Sequence, residues 1–158
     1  LGFNGDATVL ENIMLRGVAM GMRPAEVAAV TDEVLHFSGL QRKAGDRLRT
    51  LSSGQRMRLG FSLTTSVQHQ ILVMDEWIGT GDAAFVAKAR KRLQSRVDSA
   101  EIVVLASHNM KLLERVCNKG IHLDAGKQAA FGKVRDVVAS YRRSLADERD
   151  TRRNRESK

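Results

Sequence analysis

Two adjacent carboxylates, a histidine and a Ser-Gly turn are the groups in this sequence best placed to do chemistry. The run Ile71-Leu72-Val73-Met74 leads straight into Asp75-Glu76, and the run Ile102-Val103-Val104-Leu105-Ala106 leads into Ser107-His108. Upstream stands Leu51-Ser52-Ser53-Gly54-Gln55. Neighbouring acids at a strand end alternate to opposite sides, so they need not compete for one partner. Asp75 suits a hard divalent cation such as Mg2+, which takes one or two carboxylates plus phosphate oxygens. Glu76, one residue further on, is the candidate to orient and deprotonate an attacking water. A Ser and Gly cluster that opens a helix leaves backbone amides unpaired and pointing outwards, where the helix dipole adds positive charge. Such an end binds phosphate. Gly54 has no β-carbon to keep an anion away from the backbone. Taken alone, the pentapeptide also fits a plain helix cap, with Ser52 contributing about 1 kcal/mol.

These groups need strands and helices to hold them. An unbroken apolar run predicts a strand covered on both faces by helices, and open α/β sheets place ligand sites at the carboxyl ends of such strands. Two neighbouring strands, near 71–75 and 102–106, would bring Asp75, Glu76 and His108 to one rim. A lone histidine after a strand is ordinarily a structural hydrogen-bonder, and only this placement argues otherwise for His108. Ahead of them, Thr8-Val9-Leu10-Glu11 reads as a capping box that starts a helix to about Met20. Pro24 restarts the chain in a second helix, along which Val27, Val30, Val34 and Phe37 recur until Gly39 stops it. Residues 40–50 read as loop. Helices are expected from Ser52 to about Ser66, from Ala83 to Val97 and from Met110 to Cys117. Ala125-Gly126 marks a hairpin between two short strands, and an amphipathic helix from Val134 to about Leu145 closes the chain.

Composition narrows the field without deciding it. The 158 residues suffice for one domain with a core, and 42% hydrophobic with 28% charged residues is ordinary globular material. The formal charge of +8 suits nucleic acid, an anionic membrane surface or a nucleotide equally. Aromatic residues make up only 4%, which leaves few platforms for stacking single-stranded bases. The lone Cys117 excludes an internal disulfide and suits a reducing compartment. No stretch approaches the roughly 20 apolar residues of a membrane-spanning helix.

Taken in order, these segments resemble the ATP-binding cassette ATPases. Leu51 to Gln55 matches their signature motif, Ile71 to Glu76 the Walker B strand with its catalytic Glu, Gly81-Asp82 the end of the D-loop, and His108 the switch histidine. The subfamily most similar is that of bacterial polysaccharide exporters for O-antigen, capsule and teichoic acid. The grounds are Leu10-Glu11-Asn12-Ile13, Ser52-Ser53-Gly54 followed by Arg58-Leu59-Gly60-Phe61, Met74-Asp75-Glu76-Trp77, and Gly81-Asp82-Ala83-Ala84-Phe85. Where many glycan exporters read Ser-Ser-Gly-Met, this chain has Gln55.

The resemblance implies a partial α/β P-loop NTPase fold: a helical signature subdomain over 1–66, the second part of a mostly parallel RecA-like sheet over 67–141, and a charged tail over 142–158. It implies ATP and Mg2+ as cofactors, with Asp75 on the metal and Glu76 and His108 catalytic. Ser52, Ser53, Gly54 and Gln55 would face ATP held by a second subunit, and Asp82 would contact that subunit. The partners implied are a second ATPase subunit in a homodimer and an integral-membrane permease, with no nucleic acid. The place implied is the cytoplasmic face of the inner membrane. No Gly-x-x-x-x-Gly-Lys-Ser/Thr occurs, so the isolated chain is expected not to hold its own nucleotide securely. Two other readings stay open at this stage: a catalytically inactive interaction fragment, and a cassette ATPase working on nucleic acid.

Overall fold

The computed structural model describes residues 2–75 and 82–156, with side chains described as far as residue 146. Backbone packing divides the chain into two compact units, residues 1–72 with 78–102, and residues 73–77 with 103–158.

The first unit is a helical lobe on an apolar core. Helix α1 (Val9–Ala19) starts at Thr8, whose hydroxyl accepts from the Glu11 amide at 3.2 Å while the Glu11 carboxylate accepts from the Thr8 amide at 2.7 Å. Helix α2 (Pro24–Ser38) starts on its proline and ends at Gly39, whose φ of 71° is the left-handed turn a glycine supplies without strain. The stretch read as loop contains two short 3-10 turns, Gln41–Lys43 and Leu48–Thr50. Helix α3 (Ser53–Thr64) follows, and after the first strand comes α4 (Ala83–Ser99). Val9, Ile13, Val27, Val34, Leu40, Leu59 and Leu63 are wholly buried together.

Two devices tie the start of the chain to this lobe. Residues 5–10 run against residues 44–49, with the amides of Arg49, Leu48, Val9 and Leu10 donating to the carbonyls of Gly5, Ala7, Asp46 and Ala44 at 2.9–3.1 Å. The buried Asn12 side chain donates to the carbonyls of Asn4, Ala7 and Thr8 at 2.8–3.2 Å and accepts from the Asn4 amide at 2.8 Å.

Strands β1 (Ile71–Asp75) and β2 (Ile102–Ala106) are neighbours in a short parallel sheet. Their apolar runs predict strands covered on both faces, and here the structure differs. Ile71 is 59% and Val73 72% exposed, while Met74 is buried; Ile102 and Val104 are each 53% exposed. An apolar run records that both faces can be covered, not that this chain supplies both covers.

The second unit continues with α5 (Met110–Val116), β3 (Lys119–Asp124), β4 (Lys127–Lys133) and α6 (Val134–Glu156). β3 and β4 pair antiparallel, turning on Ala125 and Gly126 at φ 46° and 77°, the two positive values a two-residue hairpin needs. Val134, Val137 and Val138 of α6 are buried, and His122 of β3 meets the Tyr141 ring edge-on at 4.9 Å. The charged stretch read as a tail is helical as far as Glu156. Its residues include no Gly or Pro and several strong helix formers, so propensity carries α6 past its apolar face.

Candidate functional site

Asp75 is the last residue of β1 and is exposed, and β2 runs out two residues before His108, which is also exposed. Because the two strands are parallel neighbours, their carboxyl ends share one edge of the sheet. Just beyond it, the Ser107 hydroxyl accepts from the Asn109 amide at 3.1 Å, and the Asn109 side chain caps α5 by accepting from the Leu112 amide at 3.1 Å. Those two turns fix where His108 leaves the backbone. Glu76 and the rest of the segment through Gly81 lie outside the described residues. A single exposed carboxylate at a strand end is compatible with Mg2+, whose remaining ligands are ordinarily waters and phosphate oxygens.

The signature-like segment lies in the other unit. Ser52 is the N-cap of α3: its hydroxyl accepts from the Gln55 amide at 3.2 Å, and the Gln55 side chain accepts from the Ser52 amide at 3.0 Å. This reciprocal cap leaves the first amides of the helix facing outwards. Ser52, Ser53 and Gly54 are exposed, and a β-carbon added at Gly54 would have nothing within 4 Å. Packing inside this chain therefore does not require a glycine there. An open, capped helix start fits an anion such as a nucleotide phosphate.

Asp82 is the N-cap of α4, accepting from the Ala84 amide at 3.0 Å. Its other carboxylate oxygen stands 3.9 Å from Nη1 of Arg58, which lies on α3 beyond the signature residues. Around this link three rings from three helices, Phe37, Phe61 and Phe85, meet with centroids 5.7–6.1 Å apart. The Lys88 ammonium lies 4.5 Å above Phe37 and the Arg92 guanidinium 3.5 Å above the same ring. Burial, and then the nearby charges of Arg92 and Arg58, lower the Lys88 pKa, with Asp82 acting in the opposite direction.

Sequence reading took α4 by its small apolar residues and missed its cations. The available signal was a spacing of four at Lys88, Arg92 and Arg96, which puts all three on one helix face. The hollow beside α1, about 500 Å3 and lined by Asn4, Asp6, Ala7, Glu11, Met14 and Leu15, contains none of the candidate residues.

No family model matches the chain. A solved ATP-binding subunit of an ABC transporter superimposes with a TM-score of 0.67 over 88% of this chain and 58% of that one, at 20% identity. The cbiO1 protein of Clostridium perfringens, part of the ABC transporter complex cbiONQ, gives 0.52 over 85% and 54%, also at 20% identity. This is part of an ATP-binding cassette ATPase fold. The chain is 35% identical over 145 residues to the O-antigen export system ATP-binding protein RfbB of Myxococcus xanthus, covering 92% of this chain and 33% of RfbB. It is 33% identical over 146 residues to the teichoic acids export ATP-binding protein TagH of Staphylococcus saprophyticus, covering 92% of this chain and 55% of TagH. The chain thus spans about a third to about half of the length of these curated relatives.

Proposed function

We propose that the chain is the signature-bearing part of an ATP-binding cassette subunit that couples ATP binding and hydrolysis to export of a cell-surface polysaccharide. The observation that carries this reading is similarity over 92% of the chain to ATP-binding proteins of both O-antigen and teichoic acid export. In this reading Asp75 holds Mg2+, Glu76 positions and deprotonates the attacking water, and His108 hydrogen-bonds the terminal phosphate and that water. Mg2+, when bound, neutralises charge on the phosphates. Ser52, Ser53, Gly54 and Gln55 offer the α3 helix start to ATP held by a second subunit, and Asp82 meets that subunit. An integral-membrane permease is the other partner, which puts the assembly at the cytoplasmic face of the membrane. No helix among the described residues is long and apolar enough to cross a membrane, consistent with a peripheral subunit.

The test uses two preparations. The 158 residues alone should show no Mg-dependent ATP turnover, and turnover at ordinary rates would overturn the division of labour. Joined to a segment that carries a phosphate-binding loop, the chain should hydrolyse ATP. Glu76→Gln should then abolish turnover while ATP binding persists; a variant that still cycled would require another base.

A further inference from the structure

One face of α4 is sewn to both α2 and α3 by charge. The Lys88 ammonium donates to the Phe37 carbonyl at 2.5 Å, close to the end of α2. One turn on, the Arg92 guanidinium pairs with the Glu33 carboxylate of α2 and stacks on Phe37. A further turn on, Arg96 donates from Nε to the Thr65 carbonyl at 2.8 Å, closing the end of α3. The Arg92 side chain is only 18% exposed.

Cations at the carboxyl ends of helices oppose the negative end of the helix dipole and satisfy carbonyls that have no intrahelical donor. The Lys88 and Arg96 contacts are therefore directional as well as attractive, which apolar packing between helices is not. Lys88, Arg92 and Arg96 recur every four residues, so a shift of α4 along its axis or a roll about it breaks all three together. Arg58 adds a link at the other end, from α3 to the Asp82 cap that begins α4.

We propose that Lys88, Arg92 and Arg96 are positioning residues that make α4 ride with the signature helix, so that Ser52 and Asp82, the two helix starts, move as one surface. That this surface faces a second subunit rests on the functional reading above; that the two starts move together does not.

The first measurement needs no activity. With Cys117 replaced by Ser, nitroxides are placed at Arg56→Cys on α3 and Ala87→Cys on α4, and their separation is read by pulsed electron resonance in the 158-residue chain. A single narrow distance is expected. Arg92→Gln with Arg96→Gln should broaden it about twofold, as for an element freed between two arrangements. Glu33→Gln, which leaves α4 untouched, should broaden it as well. Arg96→Lys should keep it narrow, because an ammonium still reaches the Thr65 carbonyl. A distribution as narrow in the Gln variants as in the parent overturns the proposal, and so does equal broadening by Arg96→Lys.

The second measurement uses the ATP-hydrolysing assembly. Arg92→Gln should lower kcat about tenfold with little change in the KM for ATP, since misplacing a positioned group costs rate before binding. Ser52→Ala is the control for the functional reading. If Ser52→Ala leaves the rate unchanged while the distances respond, the functional reading fails and the clamp stands.

Discussion

Gly17 of α1 faces Val27 of α2 so closely that a β-carbon at position 17 would lie 2.5 Å from one Val27 methyl and 2.9 Å from the other. Two opposed effects then decide Gly17→Ala. Alanine raises helix propensity by about 1 kcal/mol, while overpacking a filled interface costs about 1–3 kcal/mol. Both methyls are inside contact distance and Val27 is wholly buried, so the clash should win. Urea unfolding should show a net loss of about 1 kcal/mol, with Val27→Ala in the same chain recovering part of it. A Gly17→Ala chain more stable than the parent would mean that the two helices can slide apart freely.

Asn12 should be far less replaceable than a polar residue in a helix usually is. Its amide makes four hydrogen bonds, all to the segment Asn4 to Thr8, and only 2% of the residue is exposed. Asn12→Ala strips donors and an acceptor from part-buried backbone groups, at a cost of about 1–2 kcal/mol. Hydrogen exchange should locate the damage at residues 4–8 rather than along α1. Protection lost evenly over the whole lobe would contradict a local clasp.

Acid should loosen the starts of α1 and α2 first. The Thr8 backbone amide, then its hydroxyl, holds the Glu11 carboxyl below the usual glutamate range. Hydrogen bonds from the Arg23 side chain, then its amide, do the same for Glu26. A carboxyl whose folded value is depressed contributes stability that is complete above the unfolded value and lost as pH falls through the folded one. Carboxyl carbon titrations by NMR should therefore give midpoints for Glu11 and Glu26 below that of an unstructured peptide. Midpoints at or above the peptide value would show the caps to be open in solution.

Most of the element order was legible because punctuation and periodicity agree along this chain. Thr8, Pro24, Gly39, Ser52 and Ala125-Gly126 each stand at an observed boundary. The candidate site was legible only as a spacing: the sequence put Asp75 and His108 at successive strand ends, and their strands are neighbours. What covers a strand was not legible, since Ile71 and Val104 look alike whether or not a helix lies over them. Nor was the α4 clamp, because surface-type residues such as Lys88 and Arg92 declare their partners only once Phe37 and Glu33 are brought near. Nor was the length of α6 legible past Leu145, because alternating charge neither marks a helix nor prevents one.

The pairing of residues 5–10 with 44–49 turns the beginning of the lobe into a closed ring of about 40 residues. Closing such a ring costs on the order of 3 kcal/mol in chain entropy before any contact rewards it. The ring also encloses α1, α2 and nearly all of the lobe's apolar core ahead of α3. Partial assembly is then unprofitable: a ring closed before its core has packed bears the entropy and lacks the burial. The helix start at Ser52 should therefore acquire its orientation in a single cooperative step with the first ten residues, and trimming those residues should unseat it from more than forty positions away.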